Sequence, residues 1–181
     1  MFHFRFTVTE KDYIEFNEFH ALNSPHGKKS FNTWRFFVPI ILAAFFAVIL
    51  ISSFTPETLI GAITLWAVVS GVWMLVSKPL YLMLIRNNIN KMKKSGKLPY
   101  SKNVFFQFNE EYILEVTEES ETKTKYSNIV NAVMGKSAVY LYMNVAQGYI
   151  IPFTAFESEE QKAALIRFIN YKIDKSAEVL Q

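Results

Sequence analysis

Two long uncharged runs dominate the pattern of polar and apolar positions. Residues 36–54 are 19 successive uncharged residues and residues 58–77 are a further 20, separated by Thr55-Pro56-Glu57. At 1.5 Å per helical residue each run is about 28–30 Å long, the depth of a bilayer's hydrocarbon core. The pattern therefore predicts two membrane-crossing helices joined by a tight turn, within a segment spanning 34–94. Pro39 falls near the start of the first run, where a missing amide proton costs least. Trp34, Phe36 and Phe37, with Tyr81 and Trp73, suit the headgroup interface. Gly61 and Gly71 read as places for close helix contact, and Ser52, Ser53, Thr64 and Ser70 as side chains bonded to carbonyls of their own helices.

On either side of these runs the period changes. Phe2, Phe4, Phe6 and Val8 alternate with His3, Arg5 and Thr7, which is a strand signal. Thr9 and Asp12 then form the two ends of a capping box, followed by Tyr13, Phe16, Phe19 and Leu22 at helical spacing. Residues 1–33 thus read as a strand and an amphipathic helix. After the second run, Tyr81, Ile85, Ile89 and Met92 continue one helix face through Lys78-Pro79, until Ser95-Gly96-Lys97-Leu98-Pro99 breaks it.

From Asn103 the alternation is again of two. Residues 104–108, 111–117, 121–126, 129–134, 138–143 and 148–152 read as six short strands, and Ser158 as the N-cap of a helix reaching about Lys175. The stripe of that helix is Leu165, Phe168, Ile169 and Ile173. The predicted class is an α+β membrane protein: a transmembrane hairpin (spans 36–54 and 58–77) plus a domain at 100–176, a small antiparallel sheet or open barrel closed by the C-terminal helix. An isolated strand at 2–8 cannot satisfy its backbone, so it either joins an open edge of that domain or lies by its phenylalanines in the headgroup region.

Charge orients the hairpin. The net charge is +3 and the pI about 9.0, but the segment 78–102 holds Lys78, Arg86, Lys91, Lys93, Lys94, Lys97 and Lys102 with no acid. Lys28, Lys29 and Arg35 precede the first run, whereas the turn between the runs carries only Glu57. Basic residues stay on the cytoplasmic side, so both termini are expected there and Glu57 outside. A single basic segment beside a membrane is unlike a nucleic-acid-binding face, and no nucleic-acid partner is expected.

The chemistry of a catalyst is missing from the pattern. There is no cysteine, and no Gly-x-Ser-x-Gly, HExxH or phosphate-binding glycine loop occurs. His3, His20 and His26 lack metal-ligand spacing. Glu118, Glu119 and Glu121 surround a turn and read as a solvated face. No cofactor, metal or catalytic residue is expected.

Three stretches carry a family resemblance: Phe108-Asn109-Glu110-Glu111-Tyr112-Ile113, Lys125-Tyr126-Ser127-Asn128-Ile129, and Ile151-Pro152-Phe153-Thr154-Ala155-Phe156 followed by Ser158-Glu159-Glu160. With the opening Phe4-Arg5-Phe6-Thr7-Val8-Thr9-Glu10-Lys11-Asp12-Tyr13, they resemble the YcxB-like proteins, small membrane proteins of bacteria. The resemblance implies a helical hairpin, a C-terminal domain similar to the pleckstrin-homology-like fold and a bacterial inner-membrane setting, and brings no catalytic motif.

Two functions follow as expectations. One is a membrane-anchored, non-catalytic binding or regulatory module whose cytoplasmic domain binds a protein partner or anionic lipid, with Arg86, Lys91, Lys93, Lys94 and Lys97 as lipid contacts. The other is a structural or accessory subunit of a larger complex or homo-oligomer, acting through its hairpin. The same basic residues also serve simply to set topology.

Overall fold

The computed structural model describes residues 2–52, 54–96, 100–144 and 147–179. Seven strands and four α-helices follow in the order β1 Phe2–Thr7, α1 Glu10–Asn23, α2 Pro25–Ser52, α3 Pro56–Lys94, β2 Asn103–Phe108, β3 Tyr112–Val116, β4 Glu121–Lys125, β5 Asn131–Met134, β6 Ala138–Tyr142, β7 Gly148–Pro152 and α4 Glu159–Val179. They divide into two compact units, one of residues 1–19 with 95–181 and one of residues 20–94.

In the first unit the strands build two antiparallel sheets, β1-β2-β3-β4 and β5-β6-β7, rather than a single one. The break between them is local. Tyr126, expected at the end of a strand, instead opens a 3-10 turn over Tyr126–Asn128. Its ring is buried and its hydroxyl donates to the Asn109 carbonyl at 2.8 Å, drawing the chain out of the first sheet.

β1 occupies the edge of the first sheet, with Phe4 opposite Phe106 and Phe6 opposite Val104. The Val8 amide donates to the Lys102 carbonyl at 2.8 Å. Because hydrogen-bonded pairs recur every second residue, the Phe4 and Phe6 amides face β2 in the same way. Strand alternation then sends Phe4, Phe6, Val104, Phe106, Phe108 and Ile113 to one face, and all six are buried. Phe4 meets Phe108 at 5.9 Å and Phe6 meets Phe106 at 5.6 Å between ring centres, within the range where aromatic pairs attract.

β6 is the centre of the second sheet, and Ala138 to Leu141 are buried on both faces. α4 packs over β5 and the 126–128 turn with Leu165 and Ile169 fully enclosed. Ser158 caps it, accepting from the Gln161 amide at 3.2 Å. Its Lys162 is buried beneath Glu159 and lies 3.8 Å from the Phe153 ring centre, so the ammonium has a partner on each side.

At the start of α1, Thr9 and Asp12 bond reciprocally: the Thr9 amide donates to Asp12 at 2.9 Å and the Asp12 amide to the Thr9 hydroxyl at 3.2 Å. The carboxylate, shorter than the usual Glu, still reaches. Further along, Glu15 accepts a hydrogen bond from Ser137 in the β5–β6 turn.

The second unit is a helical hairpin. Ser24 caps α2, accepting from the Gly27 amide at 2.9 Å, and Pro25 takes the first helical position. Gly27 is needed there, since a Cβ would strike the His20 and Ala21 carbonyls. α2 therefore begins eleven residues before residue 36 and carries the polar flank and the apolar run as one helix. Thr55 and Thr58 cap α3 reciprocally. α3 continues through Pro79 to Lys94, so the apolar run and the basic segment share one helix of 39 residues.

α2 and α3 lie against each other along a face that includes Trp34, Pro39, Ser70 and Ser77. The indoles of Trp34, Trp66 and Trp73 donate to the carbonyls of Ser77, Pro39 and Arg35 at 2.8–3.0 Å. Two details differ from the sequence expectation. A Cβ at Gly61 or Gly71 would meet nothing, so neither mediates contact within the hairpin. Ser70 is buried with no hydrogen-bond partner for its hydroxyl among the described residues, whereas Ser52 does bond the Val48 carbonyl at 3.3 Å.

Candidate functional site

Both hairpin helices are long and apolar enough to cross a membrane, and only 6% of the most apolar stretch of each is buried. That separates them from core helices of a soluble domain, whose apolar faces are covered. Their outward surfaces carry Phe36, Phe37, Phe45, Val68 and Leu75, all exposed.

The five sequence-predicted lipid contacts do not form one set. On α3, Lys91, Lys93 and Lys94 line a shallow open hollow together with Leu84, Asn87, Asn88 and Asn90. Neither Lys91 nor Lys94 has an ion-pair partner among the described residues. Arg86 lies outside that set, one turn before the buried Ile89. Lys97 lies outside the described residues. His20, near the end of α1, is held below its ordinary imidazole value first by burial and then by the charge of His26.

The first unit contains a second site. A cavity of about 360 Å³ opens between α1, β2, β3 and β7. Its walls carry the rings of Tyr13, Phe16, Tyr100, Phe106 and Tyr149, with Tyr13 and Tyr100 stacked at 4.9 Å. The Tyr149 hydroxyl pairs with that of Thr124 at 2.7 Å. The one ionisable carboxyl among the lining residues is Glu115 on β3, cross-strand from Phe106.

Glu115 is half-buried, and burial alone raises its carboxyl above the ordinary value. Tyr149 is raised too, chiefly by burial; the Thr124 hydrogen bond works against this and the charge of Glu115 adds to it. The Glu115 charge thus makes ionisation of Tyr149 harder. An aromatic wall with one carboxylate favours a cation and repels an anion.

Comparison with known proteins falls on this same unit. Residues 108–169 match the family model described as YcxB-like protein. No curated protein and no solved structure matches the chain. The YcxB-like stretch runs from the last residue of β2 into α4 and includes Glu115, Thr124 and Tyr149. It lies C-terminal to α2, α3, Lys91 and Lys94. β1, outside the match, supplies Phe4 and Phe6 to the core that the YcxB-like stretch builds on.

Glu115 was not singled out in the sequence, although a signal was present. Ile113 and Glu115 are two residues apart on one strand and so face the same side. A carboxylate in phase with a fully buried isoleucine marks an acid that faces inward.

Proposed function

We propose that the protein is a membrane-anchored, non-catalytic binding module that recognises anionic lipid headgroups beside its anchor. In this reading α2 and α3 cross a bacterial inner membrane as a hairpin with both termini in the cytoplasm. The two sheets under α4 form a pleckstrin-homology-like domain on that side. A cleaved signal sequence would be a poor account of α2, because cleavage after it would remove β1 from its sheet.

The observation that carries the reading is the continuity of α3 from its apolar run to the exposed Lys91 and Lys94. Ile85 is the last apolar residue before Arg86, and Lys91 and Lys94 lie six and nine positions beyond it on the same helix. At 1.5 Å per residue they stand about 9 and 13 Å past Ile85, and about 21 and 25 Å past Ser77, where the uncharged run ends. Each lysine near an anionic leaflet adds about 1 kcal/mol of attraction.

The test is to release the full chain from membranes in mild detergent and count retained lipids by native mass spectrometry. The parent retains anionic lipids, and Lys91→Gln with Lys94→Gln retains fewer, the difference shrinking as salt is raised. Equal retention would leave these charges only the role of orienting the hairpin. An accessory subunit is a second reading, favoured by the open space over Gly61 and Gly71 on the outer side of α3. Small residues there leave room for close approach by another membrane helix.

A further inference from the structure

We infer that the cavity around Glu115 is a binding site for a small organic ammonium ion with an aromatic or short alkyl body. The inference concerns the first unit alone and does not depend on lipid recognition by α3. Four observations meet there.

The cavity is about 360 Å³, room for a small ligand and too little for a folded partner. Its lining is aromatic on several sides, through α1, Tyr100, β2 and β7. Ring faces attract cations, and they do so more strongly where water is displaced. Among the described residues the lining includes no lysine, arginine or histidine. Finally, Glu115 has neither a hydrogen-bond nor an ion-pair partner among the described residues.

Glu115 is only half-buried, so its unpaired carboxylate stays open to the cavity and can accept from a donor that enters it. A second hollow shares Glu115 and is bordered, among the described residues, by Glu118, Glu119 and the exposed Lys102. Of these, Glu118 already accepts from the Asn103 amide, leaving Glu115 as the inner acceptor. An ammonium seated there donates to Glu115 and lays its body against Phe106 and Tyr149. The same site disfavours phosphates and carboxylates.

The experiment uses the full chain in detergent with two probes of similar shape, phenethylammonium and neutral 2-phenylethanol. Binding is followed by calorimetry at a pH above the titration of Glu115. The parent binds the ammonium saturably and about tenfold more tightly than the alcohol, the size of one charge-assisted hydrogen bond. Glu115→Gln loses that preference while its circular dichroism is unchanged. Lys91→Gln with Lys94→Gln keeps it, which separates this site from lipid recognition. Equal affinity for the two probes, no saturable binding, or an unchanged preference in Glu115→Gln overturns the inference.

Discussion

The indole N–H of Trp73 donates to the carbonyl oxygen of Arg35 at 2.8 Å. That carbonyl is four residues before Pro39, so it is the acceptor that proline's missing amide leaves vacant in α2. The opposite helix fills the gap. The bond ties the two helices together at the level of the aromatic residues that suit the headgroup interface, Trp34 and Trp73 among them.

Trp73→Phe should therefore destabilise the hairpin by about 1 kcal/mol, measured by unfolding in mixed micelles. In a Pro39→Ala background the alanine amide restores the intrahelical bond, and the cost of Trp73→Phe should shrink. An additive double mutant would mean that the two residues act separately.

In the first unit, Ile169 is fully enclosed by the core under α4. Ile169→Ala should cost about 2–5 kcal/mol, because the cavity it leaves cannot collapse between packed sheets. Phe168 is half-buried and touches Phe2 and Tyr126 at 5.6 and 5.9 Å between ring centres. Phe168→Asp should also destabilise this unit, and should loosen β1 with it. Thermal melts and proteolysis of the N-terminal segment report the two effects.

Tyr140 is fully enclosed, and its hydroxyl has no hydrogen-bond partner among the described residues. Burial above all, then the charge of Glu15, raises this phenol beyond its ordinary range. Tyr140→Phe removes an unsatisfied group and should be neutral or stabilising by up to about 1 kcal/mol. Gly135→Ala should do the reverse, since a Cβ there would run into the Tyr140 ring, which the core holds in place. Denaturant titration of both variants checks the pair.

The carboxyl of Glu115 is raised from its ordinary value of 4.5 by burial. The folded state then binds this proton more tightly than the unfolded state. Its contribution to stability is complete below 4.5 and is lost as pH rises through the raised folded value. Glu115→Gln should abolish that fall, so its advantage over the parent appears at neutral pH and vanishes in acid. Melting temperatures across a pH series give the answer, and parallel curves for the two proteins would refute it.

Much of the fold was legible because periodicity reports burial directly. The alternation of Phe2, Phe4, Phe6 and Val8 marked an apolar face, and the need to satisfy a strand's backbone pointed to an open sheet edge. The structure places that strand against β2. The Thr9–Asp12 box and the Ser158 cap were equally plain, because both are local. Less legible was anything set by long-range geometry. Tyr126 continues the alternation of β4 in sequence, yet its buried ring and bond to Asn109 turn it into the link between two sheets. The basic residues of α3 looked like one group by composition, and the folded helix gathers Lys91, Lys93 and Lys94 around one hollow while Arg86 lies apart. Glu115 lay in a mixed strand, and only the residues of α1 and β7 around it turn an inward acid into a site.

The central claim is a hairpin anchor with both ends on the cytoplasmic side, and the chain's lack of cysteine makes it directly measurable. Single cysteines are introduced as Glu57→Cys, in the first turn of α3, and as Glu121→Cys, in the exposed β4. Each is labelled with a membrane-impermeant maleimide in cells whose cytoplasmic membrane is intact. The account predicts that Glu57→Cys is labelled and Glu121→Cys is labelled only after lysis. Labelling of Glu121→Cys in intact cells, or protection of Glu57→Cys with Glu121→Cys exposed, would contradict it.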